Sequence, residues 1–210
     1  MIKLQAFYWL LIIPLAAQTS IAQSKMAVKI DGDNSIVTDS TSTMLIPCYY
    51  EAGLFTSNKA MTWGDNLANY IVYDFKSDQG HKLFPGDVFI RVPLQAVYTR
   101  DENKKASYPY LTKKWIFYLV RNSDYSHNGK IDAADPVVLY VTNRQGKELH
   151  ALTADNESVL SLRIYETLGF AITRVRRDSD NNRRFDDEDR SEYLIKLDLD
   201  DLRTGVPIEY

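Results

Sequence analysis

Two twelve-residue stretches of this chain, beginning 54 positions apart at Asp124 and Asp178, carry short oxygen-bearing side chains at the same intervals, and each lies between two short apolar runs. The first, DYSHNGKIDAAD, has Asp124, Ser126, Asn128, Asp132 and Asp135 at positions 1, 3, 5, 9 and 12, with Gly129 at 6 and Ile131 at 8. The second, DSDNNRRFDDED, has Asp178, Asp180, Asn182, Asp186 and Asp189 at the same positions, with Arg183 at 6 and Phe185 at 8. The flanks are KKWIFYLVRN and PVVLYVTN around the first, GFAITRVRR and SEYLIKLDL around the second. They are short and rich in Val, Ile, Tyr, Phe and Leu, which favours strands over helices. Pro136 can open either element, but Val137, Val138, Tyr140 and Val141 behind it are poor helix formers. The pattern is strand, loop, strand, stated twice, and it confines the chain to an all-β architecture.

A hard cation such as Ca²⁺ takes six to eight oxygens at roughly 2.3–2.6 Å, and a tight loop that offers alternate side chains plus one backbone carbonyl at position 7 supplies them. The expected ligands are Asp124, Ser126, Asn128, the Lys130 carbonyl, Asp132 and Asp135 in loop 1. In loop 2 they are Asp178, Asp180, Asn182, the Arg184 carbonyl, Asp186 and Asp189. Asp, Asn, Ser and Gly also populate ordinary turns. The same positions filled twice, the apolar position 8 included, argue for a shared cation-binding role.

Both stretches resemble the EF-hand loop, though without its flanking helices. Asp124 through Asp132 also match the pattern D-x-[DNS]-x-[DN]-G-x-x-D of dockerin-like repeats and of the calcium-binding blades of integrin-type propellers. Loop 2 departs at Arg183, where the usual Gly takes a positive φ, at a strain of about 1 kcal/mol. Loop 2 is also the more acidic, with four ligand carboxylates against three, so strain and charge oppose each other. Both loops end in Asp rather than a bidentate Glu, and the expected affinity is weak, about 10⁻⁴–10⁻³ M. On this reading Asp124→Ala and Asp178→Ala each remove one site and leave the other largely intact.

Repeats extend beyond the loops. Three hairpins share a form, at 69–84, 137–153 and 192–208: an alternating strand, a polar turn with Gly, and a second strand. VLSLRIY and FAITRVRR, joined by Glu166-Thr167-Leu168-Gly169, precede loop 2; DVFIRVP, a polar excursion and WIFYLVRN precede loop 1. The repeating unit is four antiparallel strands with a calcium loop joining the second to the third. The segment from Met26 to Tyr50 is expected to add strands. Such a unit resembles a β-propeller blade, in particular those of TolB-like periplasmic propellers. The matching residues are Leu139-Tyr140-Val141 with Leu152-Thr153, then Leu194 to Leu199, and Tyr70 to Phe75 in a preceding partial unit. The resemblance implies blade-like units at about 26–85, 86–153 and 158–210. Two or three units fall short of the roughly four to eight blades of a closed propeller, which leaves a compact stack of sheets, a ring closed by a second chain, or an edge covered by a partner.

Residues 1–22 read as a secretory signal: Lys3, an apolar stretch from Tyr8 to Ala17, and a small-x-small ending Ser20-Ile21-Ala22. The run is shorter than the roughly 20 residues a membrane span needs. The expected mature chain, 23–210, is a single all-β calcium-binding domain, secreted or periplasmic, where calcium is plentiful. Cys48 is the sole cysteine and lies in the apolar run MLIPCYY, so a packing role is expected and no disulfide framework exists. The net charge is −3 and no basic block occurs, which argues against nucleic acid or an anionic membrane as partner.

Catalytic motifs are lacking: no G-x-S-x-G, no H-E-x-x-H, no phosphate-binding Gly loop and no CxxC. His81, His127 and His150 are scattered and read as solvated side chains, and the acidic pairs Asp186-Asp187 and Asp200-Asp201 as turn or metal residues. The leading expectation is a non-enzymatic calcium-binding module that presents a surface to an extracellular protein or glycan. The alternative is a small extracytoplasmic Ca²⁺-dependent hydrolase or lyase acting on polysaccharide or peptide; a third reading is a purely structural repeat.

Overall fold

The computed structural model describes residues 28–33, 35–37, 42–51, 67–91, 110–185, 188–203 and 205–209. The signal reading at 1–22, most of the polar excursion before WIFYLVRN and the residues Asp186 and Asp187 lie outside them. Among the described residues all regular structure is β except one 3₁₀ turn, Glu166–Leu168. No helix among them is long and apolar enough to cross a membrane.

The strands form three antiparallel sheets in chain order. The first holds β1 (Val28–Ile30), β2 (Ile36–Val37), β3 (Thr43–Tyr50), β4 (Leu67–Asp74) and β5 (Gln79–Lys82), in the order β1-β3-β4-β5 with β2 also paired to β3. The second holds β6 (Phe89–Arg91), β7 (Tyr110–Leu111), β8 (Trp115–Arg121), β9 (Val138–Asn143) and β10 (His150–Ala151), in the order β6-β8-β9-β10 with β7 also on β8. The third is a four-stranded meander of β11 (Glu157–Tyr165), β12 (Phe170–Arg177), β13 (Glu192–Asp198) and β14 (Val206–Pro207). The three hairpins expected from the sequence are the pairs β4–β5, β9–β10 and β13–β14. The expected strands before Tyr50 are β1, β2 and β3, while β7 falls within what reads as a polar excursion.

The second sheet is covered on both faces, and β8 shows why. Its side chains alternate: Ile116, Tyr118 and Val120 join a core with Leu45, Leu67, Tyr70 and Val72 of the first sheet. Phe117 and Leu119 join a core with Val159, Leu162, Ala171, Val175, Ile195 and Leu197 of the third. An unbroken apolar run is what a strand buried on two faces requires. Each such side chain contributes about 1.5–3 kcal/mol by leaving water. The third sheet is two-faced instead: Ala171, Thr173 and Val175 of β12 are buried and Arg174 between them is exposed.

Several polar groups enter these cores with partners. The Tyr118 hydroxyl and Thr142 Oγ1 lie 3.2 Å apart, both residues buried, and burial pushes the phenol well above its ordinary range. Asn69 is fully buried; its Nδ2 donates to the carbonyls of Phe84 (3.1 Å) and Gly86 (2.8 Å), and its Oδ1 accepts from the Phe84 amide (3.1 Å). That side chain fixes the connection from β5 to β6, and with it the step from the first sheet to the second. Gly146, at φ 67° in the β9–β10 turn, lies so close to β4 that a Cβ would fall 2.9 Å from the Val72 side chain, so only Gly lets this hairpin rest on the first sheet. Cys48 is buried as expected, and burial raises its thiol above the ordinary value.

Candidate functional site

Loop 1 leaves the end of β8 and returns at β9, and loop 2 leaves the end of β12 and returns at β13. Each joins neighbouring antiparallel strands. The backbone turns alike in the two loops. Positions 4 and 6 both have positive φ: His127 (56°) and Gly129 (87°) in loop 1, Asn181 (58°) and Arg183 (64°) in loop 2. In each, the position 6 amide donates to the position 1 carboxylate, from Gly129 to Asp124 Oδ2 at 2.8 Å and from Arg183 to Asp178 Oδ2 at 2.9 Å. The left-handed conformation expected at position 6 is therefore adopted by Arg183 despite its side chain, and the strain argued from the sequence is present in the backbone.

The carboxylates of loop 1 are bonded within the loop. Asp124 Oδ1 accepts from the Asn128 amide at 3.0 Å. Asp135, 2% exposed, accepts from the Ser126 amide through Oδ1 (3.0 Å) and from the Asp132 amide through Oδ2 (2.7 Å). Asp132 accepts from the Ala134 amide at 2.9 Å and pairs with Lys130 Nζ at 3.0 Å. Partial burial opposes the charge on Asp132, but these hydrogen bonds, with Asn128, outweigh it and hold the carboxyl below its ordinary value. Arg121, the last residue of β8, donates from Nε to the Asp135 carbonyl at 2.8 Å and ties the loop's two ends together. Burial brings that guanidinium down to about 10, with Asp135 acting in the opposite sense. Ile131 at position 8 packs against Tyr50, Ala68 and Phe89, anchoring the loop to the first two sheets.

Loop 2 differs in one respect that bears on what it could hold. Asp178 and Asp189 are each 1% exposed, and each keeps one buried oxygen, Asp178 Oδ1 and Asp189 Oδ2, without a hydrogen-bond partner. Their other oxygens are satisfied: Asp189 Oδ1 by the Ser179 amide at 2.8 Å and hydroxyl at 3.1 Å, Asp178 Oδ2 by the Arg183 amide. Asp178, Asp180 and Asp189 each bring one carboxylate oxygen within 4.8 Å of the others. Oxygens on opposite sides of a single Ca²⁺ lie roughly 4.6–5.2 Å apart, so the spread fits one ion. Two buried, unpartnered, like-charged oxygens are costly on their own; a cation bound at the cluster would offset that cost.

The two loops touch. The Tyr125 hydroxyl, from position 2 of loop 1, donates to Asp178 Oδ2 at 2.8 Å, and its ring packs on Phe185 with centroids 5.9 Å apart. Partial burial, and the neighbouring Asp178, push the phenol up to about 12, so at neutral pH it is a donor. The Arg183 guanidinium lies against the His127 ring, 2.7 Å from Nε2. Under loop 2, Arg177 at the end of β12 and Tyr193 on β13 both bond to Glu157 on β11. The Asp178 amide donates to the Asn156 carbonyl at 3.2 Å.

Of the expected ligands, the structure gathers Asp178, Asp180 and Asp189 into one cluster, with Asn182 Nδ2 bonded to Asp180 Oδ2 at 2.9 Å beside them. Asp186 lies outside the described residues. In loop 1 Asn128 Nδ2 reaches Asp132 Oδ1 at 3.4 Å and Ser126 Oγ reaches Asp124 Oδ1 at 3.4 Å. Tyr125, Arg121 and Glu157 were not singled out by the sequence pattern. Equal placement of the two loops after β8 and β12 was the available signal for their contact. His81 is exposed on β5, but His150 is half buried, its ring nitrogens 2.7 Å from the Glu148 carbonyl and 2.8 Å from that of Leu202. Solvation alone does not describe that side chain. The chain matches no protein-family profile, no curated protein sequence and no solved structure.

Proposed function

We propose that this is an exported calcium-binding β-repeat protein, a non-enzymatic binding or structural module in which Ca²⁺ staples the long connections between blade-like strand pairs. The observation that carries the reading is the pair of buried carboxylate oxygens, Asp178 Oδ1 and Asp189 Oδ2, that lack partners beside Asp180. Protein side chains satisfy buried polar atoms almost everywhere, and an oxygen-seeking divalent ion is the ligand that three clustered carboxylates suit. The matching turn geometry of loop 1 supports a second, weaker site, since its carboxylates already have protein donors. The signal-like segment at 1–22 supports export, where weak sites fill. Stacking of three antiparallel sheets supports blade-like units that would present a surface to a protein or glycan partner, or to a second chain.

Equilibrium dialysis against calcium tests the reading. One or two ions bound per chain, with the tighter lost in Asp178→Ala and retained in Asp124→Ala, is the expected result. No binding up to about 10 mM, ten times the weak end of extracellular sites, contradicts it.

A further inference from the structure

One aromatic side chain joins the two loops. Tyr125 stands between Asp124 and Ser126, positions 1 and 3 of loop 1, yet its hydroxyl serves Asp178, position 1 of loop 2. Two donors, this hydroxyl at 2.8 Å and the Arg183 amide at 2.9 Å, converge on Asp178 Oδ2. Oδ1 is thereby left as the free oxygen of a nearly inaccessible carboxylate. Donors of this kind fix the orientation of a metal-ligating group and raise its affinity for the ion, and their removal typically weakens binding about 10- to 100-fold.

We infer that Tyr125 is a positioning residue for the loop 2 site, supplied by loop 1, and that filling either loop raises the calcium affinity of the other. The inference rests on the calcium reading of both loops. A cation held by Asp124 and Ser126 fixes the backbone on both sides of Tyr125, and so holds its hydroxyl on Asp178 at no further ordering cost. The ring contact with Phe185, position 8 of loop 2, ties the same residue to the hydrophobic side of that loop. Linkage makes the effect reciprocal: the factor by which loop 1 occupancy strengthens loop 2 is the factor by which loop 2 strengthens loop 1. The independence that the sequence alone implied for the two sites gives way to a coupled pair.

A double-mutant cycle tests this on the full chain, with calcium affinity at loop 2 measured by calorimetry in the parent, Tyr125→Phe, Asp124→Ala and the double variant. Phe keeps the ring packed on Phe185 and removes only the donor. Tyr125→Phe should weaken loop 2 about ten-fold. Asp124→Ala should weaken it as well, and in the Tyr125→Phe background Asp124→Ala should change it no further. Unchanged loop 2 affinity in Tyr125→Phe overturns the inference, as does an Asp124→Ala effect that persists without the hydroxyl. Each of those outcomes leaves calcium binding itself intact, whereas a parent chain that takes up no calcium removes the reading and the inference together. Circular dichroism of each variant in chelator confirms that the compared chains share the fold, and Tyr125→Leu, which likewise lacks the donor, replaces Phe where that variant is unfolded.

Discussion

Asp178 and Asp189, the first and last residues of loop 2, each bury a carboxylate oxygen that accepts no hydrogen bond, and the two carboxylates belong to one cluster with Asp180. The third sheet holds them there: β12 delivers Asp178 and the return to β13 delivers Asp189, while Ser179 and Arg183 occupy the outward oxygens.

This arrangement gives a substitution whose effect changes sign with calcium. Asp189→Asn removes one of two neighbouring buried charges and should stabilise the metal-free protein by about 1 kcal/mol. The same change removes a ligand charge, so calcium should no longer raise the melting temperature through loop 2. Melting curves in chelator and in calcium, compared with the parent, check both halves.

Arg183 occupies position 6 with φ 64°. Arg183→Gly should relieve about 1 kcal/mol of backbone strain and strengthen calcium binding at loop 2. Arg183→Ala, which loses the His127 contact but keeps a Cβ, should bring no such gain. Equal behaviour of the two variants in urea unfolding would contradict the strain argument.

Asn69 holds the passage between the first and second sheets through bonds to Phe84 and Gly86. Asn69→Ala removes the side-chain partners of the buried Phe84 amide and carbonyl and should lower stability by about 2 kcal/mol. Calcium affinity at loop 2, two sheets away, should be unaffected. Urea unfolding and calcium titration on the same variant separate the two effects.

Glu157 supplies a pH dependence. Burial alone raises its carboxyl, but hydrogen bonds from Tyr193, Arg177 and the Ala154 amide outweigh it and hold the group below its ordinary 4.5. A carboxyl depressed in the folded state contributes stability that is full above its unfolded value and is lost as pH falls through the folded one. The parent should therefore lose stability relative to Glu157→Gln as pH drops below about 4.5, with the difference between them constant from pH 6 to 8. Urea midpoints across that range, in chelator, check the sign.

Much of this architecture is legible along the chain because it is local. The period-2 pattern of FAITRVRR and EYLIKLD marks β12 and β13, and Glu166 to Gly169 marks the turn before them. The unbroken run of β8 signals burial on both faces. Which sheets do the covering is set by contacts such as Gly146 on Val72, between residues far apart in sequence, and no spacing announces those. The same holds at the site. Loop positions 1 to 12 follow from local turn chemistry, and Arg183 departs from it visibly. The contact of Tyr125 with Asp178 arises only when two loops from different sheets meet, and the unpartnered oxygens of Asp178 and Asp189 only when the first and last residues of loop 2 are buried together.

Thermal unfolding of the protein in excess EGTA, then over a calcium titration to about 10 mM with equal magnesium as control, tests the central claim most directly. The midpoint should rise with calcium and not with magnesium, and Asp178→Ala should abolish most of the rise. A midpoint that ignores calcium would contradict the account and reduce both loops to acidic turns.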